Sequence, residues 1–188
     1  MWYRQYTNVF AINNKAYLIC GALSTNEVTR EVWCYDSKED IWVQKNNFPA
    51  AARCGAYSFT IDQHGYFGCG QGVERYSDFW KYDPIDDHWE RIADFPDGGR
   101  REGISFSCGG FGFAGLGVTT FDDAGHTDEI YKYNPLTNEW TSITPYPGGA
   151  TSYAKAGSFD VFAVVGGGQE GLLNFQSDFY MYDVLEDS

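Results

Sequence analysis

Basic residues are scarce in this 188-residue chain: 13 Lys and Arg stand against 26 Asp and Glu, a formal net charge of −13. With no basic stripe to release counterions from a phosphate backbone, nucleic acid is not an expected partner. No apolar run approaches the roughly 20 residues that a membrane-spanning helix needs, so no membrane insertion is expected. Met1 to Gln5 lacks the apolar core of a secretory signal, and any export signal would lie outside this sequence. No segment sustains a helical period. Histidine is limited to His64, His88 and His126, and the five cysteines form no C-x-x-C or Cys/His spacing of a zinc site. P-loop, dinucleotide-binding and nucleophile-elbow motifs are missing as well. The sequence therefore assigns no metal, no cofactor and no catalytic residue.

What the chain does have is aromatic content, 18%, arranged in register. Tyr35, Tyr82, Tyr133 and Tyr182 lie 47, 51 and 49 residues apart. Four residues before each stands an acid (Glu31, Asp78, Glu129, Asp178), and directly after each comes Asp or Asn (Asp36, Asp83, Asn134, Asp183). Seven residues after the first three tyrosines is a tryptophan (Trp42, Trp89, Trp140), and seven further on a proline (Pro49, Pro96, Pro147). Upstream, a glycine closes an apolar run at Gly21, Gly70, Gly117 and Gly166. A repeat near fifty residues marks stacked supersecondary units.

Each unit reads as four short strands. Aromatic and β-branched runs such as Phe59 to Ile61, Tyr66 to Cys69 and Asp78 to Tyr82 are bounded by Gly, Pro, Asn and Asp. Asp83 to Asp87 and Asn134 to Asn138 carry turn chemistry. The expected fold is all-β, a propeller of about four four-stranded antiparallel blades with the last one incomplete, in a single domain over 1–188 with units near 1–45, 46–93, 94–144 and 145–188.

The glycine closing the second strand, the Tyr-Asp pair of the third and the tryptophan opening the fourth resemble the kelch repeat, over essentially the whole chain. Phe79 to Pro84 and Phe95 to Arg100 resemble the alternating blocks of bacterial envelope kelch proteins. That resemblance implies a binding or interaction module with a protein, peptide or glycan ligand, in the cell envelope or periplasm. Kinship to galactose oxidase and to N-acetylneuraminate epimerases implies the alternative of a carbohydrate-active enzyme, although the tyrosine, histidine and cysteine set of the oxidase copper site does not converge here. A scaffold without a ligand of its own is the third reading. A fourth tryptophan would fall just past Ser188. The expectation is a segment of a larger ring; an arc closed by a second copy and a four-unit ring are the alternatives.

In a meandering blade the loops from second to third strand and those between blades share one face. The steps from closing glycine to acid are 10, 8, 12 and 12, so this face varies and is expected to carry specificity. Ser24, Asn26, Glu74, Arg75, Asp122, Asp123, His126, Gln169 and Asn174 would decorate it. Arg53 and Arg100 each follow the repeat proline by four residues, Arg4 fits by its step to Gly21, and Thr151 replaces the arginine in the fourth unit. These arginines would start the inner strands near the axis. There they could converge on a carboxylate by bidentate contacts, or pair with the acid column inside each blade. Cys20 and Cys69 share a column with Leu116 and Val165 and read as buried small hydrophobes. The repeated tryptophans read as core, whereas Trp2, Tyr76, Phe121, Tyr146 and Phe175 fall outside the repeat and are candidates for exposed contacts.

Overall fold

A computed structural model describes residues 3–23, 27–171, 174–184 and 186. Among them every regular element is a β-strand. The first unit comprises β1 (Arg4–Gln5), β2 (Asn8–Ile12), β3 (Lys15–Ile19), β4 (Ala22–Leu23), β5 (Val32–Asp36) and β6 (Ile41–Lys45). The second is β7 (Tyr57–Ile61), β8 (His64–Gly68), β9 (Phe79–Asp83) and β10 (His88–Ile92). The third is β11 (Ile104–Cys108), β12 (Phe111–Gly115), β13 (Ile130–Asn134) and β14 (Glu139–Ser142). The fourth is β15 (Lys155–Phe159), β16 (Phe162–Gly166), β17 (Gln169–Glu170), β18 (Asn174–Phe175) and β19 (Phe179–Asp183).

Each unit folds as an antiparallel meander: β2-β3-β5-β6, β7-β8-β9-β10, β11-β12-β13-β14 and the three-stranded β15-β16-β19. These are the blades of a β-propeller. The inner strands meet in order, β2 on β7, β7 on β11 and β11 on β15; among the described residues no strand of the first blade contacts a strand of the fourth.

The tyrosine column explains the third-to-fourth strand turn. Tyr35, Tyr82 and Tyr133 each donate a hydroxyl hydrogen bond to the residue five positions on: Asp40 (2.7 Å), Asp87 (2.6 Å) and Asn138 (3.0 Å). Those three acceptors sit at positive φ, a conformation that Asp and Asn tolerate through local hydrogen bonding. The Asp or Asn after each tyrosine closes the turn by accepting from the backbone two residues on, at Lys38, Ile85 and Leu136. Asp87 and Asn138 also accept backbone N–H groups of the preceding blade, at Asn46 and Ala93.

The core lies between blades. Phe10, Tyr17, Ile19, Val32 and Cys34 of the first blade meet Phe67, Tyr82 and Trp89 of the second. Tyr57, Phe59, Tyr66 and Phe79 meet Ala114, Tyr131 and Tyr133 of the third. Ile104, Phe106, Phe113 and Ile130 meet Ala163, Val165 and Val184 of the fourth. At the first two interfaces a large ring sits on a missing side chain: a Cβ at Gly65 would come within 2.2 Å of Phe10, and one at Gly112 within 2.2 Å of Phe59. At the third interface the residue in the same strand position is the buried Ala163.

The fourth unit corrects one column. Gly166 pairs with Phe179 as Gly68 pairs with Phe79, and the glycine at high positive φ equivalent to Gly21, Gly70 and Gly117 is Gly168. The cysteine column therefore continues through Leu116 to Gly167 rather than Val165, and the fourth step to the acid column becomes 178 − 168 = 10. The slip is by two residues, which keeps each side chain on its face. Thr151 now stands 17 residues before its glycine, as each arginine does.

Candidate functional site

Short pairings ahead of the inner strands build the loop face. The residues before each inner strand pair with the loop after the second strand: Gln5 with Ala22, Cys54 with Gln71, Arg101 with Val118 and Ser152 with Gln169. The blades are also tied tangentially. Gly55 N–H donates to Tyr6 C=O (3.1 Å), Glu102 to Gly55 (3.0 Å) and Tyr153 to Glu102 (2.7 Å), and all four residues lie at positive φ. In parallel Gly21, Gly70 and Gly117 donate to the carbonyls of Arg53, Arg100 and Thr151 in the next blade. Inter-blade orientation on this face is thus fixed by backbone hydrogen bonds as well as by packing.

The arginine column is engaged within the blades. Arg53, 1% exposed, donates from Nη1 and Nη2 to the two carboxylate oxygens of Asp78 (2.7 and 3.0 Å), from Nη1 to Cys69 C=O and from Nε to Ala51 C=O. Its guanidinium lies 4.7 Å from the Phe48 ring centre and 4.2 Å from that of Tyr76. Arg100, equally buried, pairs with Glu129 (3.1 Å) beside Phe95, and Arg4 pairs with Glu31. Indole N–H groups of Trp33 and Trp80 donate to the same acids. The repeated arginine and the repeated acid are therefore two halves of one recurring ion pair, with aromatic rings against the guanidinium groups of Arg53 and Arg100.

The remaining sequence candidates lie on the loops. Arg75 reaches the third blade's loop, where its Nη2 donates to Thr120 C=O and lies 3.6 Å from Asp123. Asp122 is exposed and accepts from Ala124 N–H; its carboxyl is held below its ordinary range by the Thr120 hydroxyl and that amide. His126 accepts from Gly171 N–H at Nε2 (3.0 Å), bridging the third and fourth loops. Gln169 pairs through its backbone with Ser152, and Asn174 donates to Glu170 (3.1 Å). Glu74 lines an open cleft with Arg53, Tyr76 and Asp78. Tyr76 and Tyr146 are buried, whereas Phe121 and Phe175 are exposed. Trp2, Ser24 and Asn26 fall outside the described residues.

Sequence reasoning missed the residues that meet at the axis. A polar hollow of about 250 Å³ is lined by Tyr6, Thr7 and Asn8 of the first blade, Gly55 and Ala56 of the second, Glu102 and Gly103 of the third and Lys155 of the fourth. The starts of all four inner strands contribute to it. Glu102 is its acid, with a side chain 13% exposed: burial raises its carboxyl from the ordinary value, against a smaller lowering by Arg101, and Oε1 has no hydrogen-bond partner among the described residues. Arg101 lies 3.7 Å from Glu102, donates to Asp123 (2.6 Å) and reaches the Tyr153 hydroxyl (3.4 Å). These positions differ in identity from blade to blade, so the repeat columns did not mark them; only the absence of a column two residues before each inner strand could have done so. The arrangement can accept hydrogen bonds at Glu102, donate them from Lys155 and Arg101, and exchange a proton at Glu102. Among the described residues no group of three or more His, Cys, Asp or Glu could hold a metal ion.

No family model and no curated protein matches the chain. The solved structure of YjhT does: it superposes with a TM-score of 0.80 over 96% of this chain at 17% sequence identity. At that identity the likeness is one of fold, and it supports a kelch-like propeller. The chain spans 63% of the length of YjhT.

Proposed function

We propose that this chain is an interaction module that takes a protein, peptide or glycan ligand on its loop face. The observation that carries this reading is the composition of that face. Three successive loops each present a large apolar side chain to solvent, Val73, Phe121 and Phe175, around a hollow lined by Glu102, Lys155 and Asn8. Apolar rims around a few polar groups suit ligand recognition. The kelch resemblance and the propeller fold support it, since loops on a rigid scaffold are where such folds place recognition. The second reading, a carbohydrate-active enzyme, is favoured by one observation: Glu102, its carboxyl raised by burial, lines the hollow 3.7 Å from Arg101 and beside Tyr153, the setting of an acid–base group.

The test is to probe peptide and glycan arrays with the purified chain and to titrate each hit against variants of both faces. Phe121→Ala and Phe175→Ala are expected to weaken binding by about tenfold, or about 1.4 kcal/mol. Ile85→Ala and Leu136→Ala, at exposed turn tips on the opposite face, are expected to leave it unchanged. The reverse pattern, or an array with no hit that survives titration, overturns the proposal.

A further inference from the structure

Two guanidinium groups on the loop face share one carboxylate oxygen. Arg75 stands in the second blade's loop with a side chain only 5% exposed, and Arg101 precedes the third blade's inner strand at 18%. Both meet Oδ1 of Asp123, Arg101 at 2.6 Å and Arg75 at 3.6 Å. Arg75 Nε and Nη1 and Arg101 Nε are buried without an acceptor among the described residues. The Arg75 guanidinium donates a hydrogen bond to Thr120 C=O and lies 5.0 Å from the Phe121 ring centre. Burial and the neighbouring Arg101 charge both act against its protonated form.

Arg53 is arranged differently, with one carboxylate giving both oxygens to one arginine and every nitrogen type engaged, and Arg100, which like Arg75 leaves Nε and Nη1 unpaired among the described residues, still pairs with an acid of its own, Glu129. Buried donors left unmade are costly, and guanidinium groups pair best with carboxylates through two parallel bonds. Asp123 cannot supply that to two arginines at once. It sits at φ 56°, in a turn closed by its own N–H to Thr120 C=O (3.4 Å), and its side chain is 39% exposed. The carboxylate is thus offered from an exposed turn, while the two arginines are fixed beneath it. Glu102 offsets part of the Arg101 charge from 3.7 Å and does not reach Arg75 within ion-pair distance.

We propose that Arg75 and Arg101 form a carboxylate-binding subsite which the chain's own Asp123 fills, so that an acidic ligand binds by displacing the Asp123 side chain. This rests on the loop-face reading and specifies one group of the ligand. A carboxylate fits because one already occupies the place, and a single negative charge suits a pair partly neutralised by Glu102. Phe121, 63% exposed above the Arg75 guanidinium, supplies apolar contact beside it.

The subsite is tested by titrating sodium acetate into the full chain at constant ionic strength, following arginine Nε–H resonances, with inorganic phosphate as the comparison anion. Asp123→Ala is expected to bind acetate at least about tenfold more tightly than the wild type, and adding Arg75→Gln to that variant is expected to abolish saturation. The proposal is overturned by equal affinity in Asp123→Ala and wild type, by saturation that survives Arg75→Gln, or by phosphate binding more tightly than acetate. Asp123→Asn, isosteric and uncharged, repeats the measurement without a cavity. Should both variants lose cooperative melting, wild-type saturation that Arg75→Gln removes supports the subsite, and no saturation sinks it. If array ligands still respond to Phe121→Ala while acetate does not bind, the subsite fails and the wider loop-face reading stands.

Discussion

At the residue scale the same chemical type serves two purposes. Arg4, Arg53 and Arg100 were legible as a column, and the companion column of acids was legible too; their pairing needed only the blade to bring positions about 25 to 29 apart together. Arg75 and Arg101 belong to no column, and nothing in their spacing shows that they meet over Asp123. Glu102 is the residue whose protonation couples most directly to the hollow. Its folded-state pKa is raised, mainly by burial, so its ionised form disfavours the fold at neutral pH. Below the ordinary glutamate range both folded and unfolded states hold the proton and the penalty is absent; it sets in as pH rises toward the folded-state value and is fully present above it. Glu102→Gln is therefore expected to raise the urea midpoint at pH 7, with the gain closing as the pH is lowered through the ordinary glutamate range. A gain that persists in acid would show that shape, rather than charge, governs this site.

At the element scale, blade packing depends on what the second strand lacks. Strand existence and order followed from aromatic runs and turn residues, and each meander formed where expected. The need for Gly65 and Gly112 inside strands did not follow from propensity, which disfavours glycine there. The reason is tertiary, since each glycine receives the ring that the previous blade's inner strand projects. Gly65→Val should cost about 1–3 kcal/mol in denaturant unfolding, because the new side chain and the Phe10 ring cannot share that space. Gly157, in the Phe10 column of the last blade, has an ordinary φ and open space where a Cβ would stand, with no atom within 4 Å. Gly157→Val is expected to stay within about 0.5 kcal/mol of the parent. Equal effects at the two sites would refute the inter-blade account.

At the scale of the whole molecule, the two ends differ from the three interfaces between them. On the fourth blade Phe159 and Phe179, in the columns that cover the next blade elsewhere, are 59% and 68% exposed, and Met181, two residues on from Phe179, is 64% exposed. On the first blade Val9 and Trp42 are 51% and 40% exposed, whereas Trp89, in the column of Trp42, is buried at 7%. The faces are unlike, so any contact between them would be head to tail. In light scattering the 188-residue chain is expected to gain mass with concentration, and Phe179→Asp with Met181→Asp to suppress that gain. A mass that stays monomeric at every concentration would mean that these faces do not associate.

The sequence by itself determined the repeat, the strand order and the turn chemistry, because these depend on local propensity and on a period that recurs along the chain. Only the tertiary structure decided the two-residue register of the fourth unit, the partners of the arginine column, the glycine sockets and the meeting of Glu102, Arg101, Arg75 and Asp123. Those depend on contacts between blades, and at the axis each blade contributes a different residue to a shared space, so no periodic signal marks them.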